Sequence, residues 1–253
     1  MKSLESIYNS ILLENQNTNN IDLELLKSCV KGTYTINDDG SIDVEGSVNL
    51  SRKKLTKIPF NFSKVSGVFR CYHNQLTTLK GAPNTVGGNF YCTDNQLTSL
   101  EGAPNTVGGG FYCDHNQLTS LEGAPNNVSD YFDCSYNQLT TLKGAPNTVG
   151  GNFYCTDNQL TSLNGAPNIV GDNFVCNNNQ LTSLDGAPNT VGGSFFCYNN
   201  QNLPYSELFK IVDNVKGSIY YSSFNTSDDK DKIRRDRDVK ETLKDDELGS
   251  LDV

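Results

Sequence analysis

The chain has 253 residues, with 20 lysines and arginines against 29 aspartates and glutamates, for a net charge of −9. That balance repels phosphate backbones and anionic lipid surfaces, which argues against nucleic acid and membrane as partners. No apolar run reaches the roughly 18 residues of a membrane span, and Met1-Lys2-Ser3-Leu4-Glu5-Ser6 lacks the uninterrupted apolar stretch of a secretion signal, so the chain is expected to stay in the compartment where it is made.

Residues 1–31 read as an N-terminal helical segment. Leu4 to Leu13 and Ile21 to Val30 have helix-like apolar spacing, with a polar, Asn-rich joint between them. Residues 32–66 read as a β-hairpin and a degenerate capping repeat. Thr33 to Val44 alternates apolar and polar residues around Asp39-Gly40, the signature of a tight turn between two strands. Val48, Leu50, Leu55, Ile58 and Val65 then occupy the core positions of the repeat that follows, with Lys53 where the later repeats have asparagine.

Residues 67–203 form seven coils of 21 residues. Cys71, Cys92, Cys113, Cys134, Cys155, Cys176 and Cys197 recur at that interval, each two residues after a phenylalanine, from Phe69 to Phe195. A period of this length means a solenoid, in which each unit buries its apolar face only against its neighbours. Phe-x-Cys is a short strand with alternate side chains pointing inward. Asn74, Asn95, Asn116, Asn137, Asn158, Asn179 and Asn200 stand where the chain leaves that strand, placed to bond open backbone groups from coil to coil. Two leucine columns, such as Leu97 and Leu100, and a valine column, such as Val86 and Val107, close the ring of core positions. A Gly-Ala-Pro-Asn corner recurs six times, from Gly81 to Gly186. Proline drives the preceding alanine into extended geometry, and glycine permits a backbone conformation other residues resist. The unit is too short for a strand, two corners and a full helix, so the side opposite the strand is expected to be irregular.

Residues 204–225 read as a C-terminal cap. Leu208, Ile211, Val212 and Val215 form a helical stripe over Ser206 to Val215, Gly217 ends it, and Ile219-Tyr220-Tyr221 adds a terminal strand. Residues 226–253 are charged and poor in apolar residues, the composition of a disordered tail, although Ile233, Val239 and Leu243 have the spacing of a weak helix able to dock on a partner.

Eight cysteines without a CxxC pair fit neither a zinc site nor a disulfide framework. One sulfur per coil at an inward strand position is what a small buried apolar residue looks like. A column of free, buried thiols points to a reducing cytoplasm.

Phe-x-Cys-x-x-Asn-x-Leu-x-x-Leu is similar to the leucine-rich repeat pattern, with Phe and Cys in two of its leucine positions. Asn95-Gln96-Leu97-Thr98-Ser99-Leu100 followed by Pro104 resembles the short bacterial type found in effector proteins. The resemblance covers about residues 46–203. It implies a mainly β repeat solenoid: a right-handed coil with a parallel concave sheet and an irregular convex side, a small α/β N-terminal cap and a helical C-terminal cap. It also implies protein binding, the activity of most of the family. Some effectors with similar repeats append a ubiquitin-ligase domain with a catalytic cysteine, but no cysteine follows Cys197 here, so that activity is not carried over. The opening Met1-Lys2-Ser3-Leu4 through Leu12-Leu13-Glu14 resembles the capsid-targeting segments of tailed-phage internal proteins, cut after Leu-x-Glu. That implies an alternative structural or virion-associated role, with the virion or a host cytoplasm as its location.

The strand positions free to vary are where function is written. Between Phe and Cys stand Arg70, Tyr91, Tyr112, Asp133, Tyr154, Val175 and Phe196; one step past Cys stand Tyr72, Thr93, Asp114, Ser135, Thr156, Asn177 and Tyr198. Arg70, Tyr72, Tyr91, Tyr112, Asp114, Asp133, Tyr154, Phe196 and Tyr198 are the candidate partner-binding residues, because aromatic rings with polar tips anchor interfaces. The same rings also serve to support the sheet by cross-strand stacking. Asp94, Asp114, Asp133 and Asp157 make the face acidic and favour a polar or basic protein surface. His73 and His115 share a column with Asp94 between them; solvated rim and metal ligation are both open to them, but coils about 4.8 Å apart put the imidazoles nearly 10 Å from each other. No nucleophile and base can be paired, and Gly87-Gly88 lacks the context of a phosphate loop. The expectation is a non-enzymatic module without cofactor that binds a protein partner, with self-association through the solenoid ends as a further possibility.

Overall fold

The computed structural model describes residues 22–222 and 228–249. The helix expected at Leu4 to Leu13 and the Leu-x-Glu motif lie outside them. The described chain winds into a parallel β-solenoid with two ladders of very short strands. In the first ladder Val48 pairs with Phe69, then Phe90, Phe111, Phe132, Phe153, Phe174, Phe195 and finally Ile219 follow in register. In the second, Val44 pairs with Val65 and the series continues through Val86, Val107, Val128, Val149, Val170 and Val191 to a bridge with Val215. Sequence reading assigns a core role to these valines but no strand, because a two-residue strand shows no alternation to detect.

Between the ladders the coil is packed solid. The Val, Phe, Cys and both Leu columns of the seven coils are buried, and successive phenylalanine rings stack with centroids 5.2–5.4 Å apart and planes within 13°. All eight cysteines are free and buried. Five thiols donate to the carbonyl of the next coil, as Cys134 does to Tyr154 at 3.1 Å. Burial drives the thiols from Cys71 to Cys197 well above their ordinary range, so they are inert.

The asparagine column ties the coils together. Asn95 Nδ2 donates to Cys71 O and Cys92 O, both at 3.0 Å, while its Oδ1 accepts from Leu76 N at 3.0 Å. The arrangement repeats through Asn200. At the corners, glycines such as Gly102 hold φ near +85°, where a side chain is strained. One step before each ladder asparagine the backbone is left-handed again: His73, Asp94, His115, Tyr136, Asp157, Asn178 and Asn199 all have φ between 51° and 56°. Six of these seven positions hold Asp, Asn or His with polar side chains suited to that conformation, and His115 and Tyr136 stack on each other.

At the N-terminal end, Asp22 caps the helix Leu23–Cys29 through Leu25 N, and Leu26 and Cys29 are buried. Strands β1 (Val30–Ile36) and β2 (Ile42–Asn49) form the expected antiparallel hairpin, with Gly40 at φ +79° in the turn. Because β2 is long, it starts both ladders. Lys53 of the capping coil lacks an amide, and Asn74 of the next coil serves it by accepting from Lys53 N and Leu55 N at 3.0 Å each.

The C-terminal end departs from expectation twice. The helical stripe is a 3₁₀ helix, Tyr205–Lys210, followed by turns, because Val215 is drawn into the valine ladder by its bridge to Val191. Leu208, Ile211, Val212 and Val215 are still buried over the last coil. The tail read as disordered contains a helix, Lys230–Gly249. Asp229 accepts from Asp231 N and Lys232 N at its start, Ile233 is fully buried, and Arg234 and Arg237 both bind Asp213. Tyr205 donates to Asp236 at 3.0 Å, and Lys230 Nζ reaches the Val215 and Gly217 carbonyls. Charge here makes specific pairs with the cap, where composition alone signals only solvation.

Candidate interaction face

Alternation in the Phe-x-Cys strand turns the residue between them outward, and the two residues after Cys follow on the same side, half-buried or exposed except at Ser135 and Asn177. These positions form one face along the array. At its N-terminal end, Tyr91 and Tyr112 stack at 4.6 Å with planes 13° apart, Arg70 lies over the Tyr91 ring at 5.8 Å, and Tyr72 meets Tyr91 edge-on at 6.5 Å. The rings lean back along the coil: Asn89 Nδ2 donates to the Tyr91 hydroxyl at 2.7 Å, and Tyr112 lies over Gly110, where a β-carbon would stand 2.8 Å from its ring. Burial, reinforced by Tyr91 and Asp130, pushes the Tyr112 phenol up to about 12.

Asp114 is held by Thr93 Oγ1 at 2.7 Å and by His115 Nδ1 at 2.9 Å. His73 Nδ1 pairs with Asp94 at 3.1 Å. Each histidine thus has its own carboxylate instead of sharing Asp94, and no cluster of three or more metal-binding side chains occurs among the described residues. Asp133 interrupts the ring column. Its carboxylate accepts from Ser135 N at 3.0 Å, and burial, with Asp114 nearby, raises its pKa above the usual range.

Tyr154 does not join the Tyr91 and Tyr112 stack. Its hydroxyl accepts from Asn152 at 2.9 Å, and its ring meets Tyr131 edge-on at 6.5 Å. Phe196 belongs to a separate cluster, stacked on Tyr220 at 4.4 Å, with half-buried Tyr198 on the same coil. The nine candidate residues therefore fall into three groups along the array. Cross-strand stacking accounts for much of the aromatic column.

Two rings were not singled out by the sequence reading: Tyr131, 38 % exposed, and Tyr136, 50 % exposed and stacked on His115 at 4.4 Å. Both sit in framework columns. Tyr131 replaces the asparagine, glycine or serine that precedes Phe in the coils from Asn89 to Ser194, and Tyr136 occupies the left-handed column. Their departure from the column consensus was the available signal. A cleft of about 570 Å³ lined by Ile42, Ile58, Pro59 and Phe60 lies at the N-terminal cap and shares no residue with this face.

No family model matches the chain, and no curated protein matches it. Among solved structures, the leucine-rich-repeat domain of a Shigella effector is similar, with a TM-score of 0.56 and 20% identity over 82% of this chain and 88% of that one. The chain thus folds as a leucine-rich-repeat solenoid. No helix among the described residues is long and apolar enough to cross a membrane.

Proposed function

We propose that the protein is a non-enzymatic interaction module that binds a protein partner through the Phe-x-Cys face. The observation that carries this reading is the contrast between columns. Core and ladder positions repeat almost without change, while the outward positions carry Arg70, Tyr72, Tyr91, Tyr112, Asp114, Asp133, Tyr154, Phe196 and Tyr198. A uniform frame with one variable, aromatic and acidic ribbon is the design of a recognition surface. The leucine-rich-repeat fold supports the same reading. Affinity capture with the intact chain tests it against the Tyr91→Ala/Tyr112→Ala/Tyr154→Ala variant. Capture should be lost while the circular dichroism spectrum is kept; undiminished capture would sink the reading.

A second reading is self-association through the N-terminal end. Among the described residues, β1 pairs only with β2, which leaves its outer edge open to strand addition. Light scattering that finds only monomer at high concentration excludes it.

A further inference from the structure

The central coil differs most from its neighbours, and it differs at the surface. Tyr131 and Tyr136 are the two most exposed tyrosine or phenylalanine rings among the described residues, and they stand before and after the strand that carries Asp133. Room for Tyr131 comes from the next coil: a β-carbon at Gly151 would meet its ring at 2.8 Å. Tyr136 is kept in a left-handed conformation that strains a bulky residue, although the equivalent positions of other coils hold histidine, aspartate or asparagine. Neither ring has a core role.

The charge around them is one-sided. Asp114, Asp130, Asp133 and Asp157 lie on this coil and its neighbours, and among the described residues no lysine or arginine forms an ion pair with any of them. Along the outward columns from residue 70 to 199 there are four aspartates and one arginine, Arg70, three coils away from Asp133. An isolated aromatic patch would suit any apolar partner; an aromatic patch ringed by carboxylates that no lysine or arginine neutralises favours a cation with a flat face.

We propose that this coil is the anchoring point of the face and that its ligand is a cationic, arginine-bearing segment of the partner protein. The inference rests on the protein-binding reading above and narrows it. A guanidinium stacks on Tyr131 or Tyr136 while bonding the Asp133 carboxylate, a combination that lysine meets less well. Its position at the middle of the array, flanked by Tyr112 and Tyr154, is where solvent is best excluded from a bound segment.

The test uses ¹⁵N-labelled full-length protein and two synthetic peptides, acetyl-Gly-Arg-Ser-Arg-Gly-amide and the same peptide with neutral citrulline for arginine. The arginine peptide should shift amide resonances of residues 112–115, 130–136 and 154–157, and the citrulline peptide should not. Tyr131→Ala, Tyr136→Ala and Asp133→Asn should each weaken the arginine peptide about tenfold without changing the thermal melt. Equal shifts with citrulline, shifts spread over all carboxylates, or none at all overturn the proposal. So do the same resonances moving with protein concentration alone, which would assign the patch to a second copy. If partner capture depends on Tyr91, Tyr112 and Tyr154 but neither peptide binds, the narrower inference fails and the protein-binding reading stands. If capture survives every substitution on the face, the wider reading fails.

Discussion

Asn116 Nδ2 donates to Cys92 O and Cys113 O, both at 3.1 Å, and so joins two coils through one buried amide. Its Oδ1 accepts from Leu97 N at 3.0 Å. Asn116→Ala leaves those buried backbone groups open and should cost about 2–4 kcal/mol in urea denaturation, more than Asn74→Ala, whose amide is only half-buried. Equal costs at the two sites would show that burial does not set the strength of the ladder.

Thiol chemistry gives a second expectation. The eight cysteines are buried, and burial suppresses the thiolate of the solenoid seven. Native protein should react with a thiol reagent at the rate of unfolding, and all eight should react together in denaturant. A thiol modified within seconds under native conditions would place it at the surface.

The C-terminal helix hangs on one apolar anchor and a set of ion pairs. Ile233→Ala should remove amide-exchange protection from residues 230–243 and leave the coils from 67 to 203 protected. Loss of protection throughout the array would instead make the helix an integral cap.

Acid should release the same helix. Arg237, and then Arg234, hold the Asp213 carboxyl below its ordinary value of 3.8. A depressed carboxylate contributes stability above that value and loses it as pH falls through the lower folded value. Because Asp213 is largely exposed, the effect is modest. Amide exchange of residues 230–243 should rise below about pH 4 in wild type and lose this pH step in Asp213→Asn, whose helix is already loosened at neutral pH.

Tyr136 weighs strain against stacking. Replacing it with asparagine, as at Asn178, relieves about 1 kcal/mol of left-handed strain and forfeits a comparable ring contact with His115. Tyr136→Asn should therefore shift stability by no more than about 0.5 kcal/mol in chemical denaturation, so that any binding defect is separable from folding.

The solenoid and its core columns were legible because a fixed period turns each buried position into a vertical list; Phe, Cys, Asn and Leu announced themselves by repetition. What escaped did so for physical reasons. The valine ladder consists of two-residue strands without alternation. The helix at Lys230–Gly249 has the composition of a solvated tail, and its order depends on Asp213 and Tyr205 in another segment. Tyr131 and Tyr136 carry no such signal in the columns flanking cysteine, because these rings replace frame residues. The columns flanking cysteine carry most of the outward rings, but the two most exposed tyrosines stand in frame columns.

The amide ladder makes every junction between coils chemically alike: the upper and lower surfaces of a coil offer the same ring, thiol, amide and branched side chains. A gene could therefore gain or lose one whole turn without inventing a new fit, provided the change spans 21 codons. The distance from either cap to the tyrosine-rich turn would then change in steps of about 4.8 Å, giving a ruler adjustable by recombination alone.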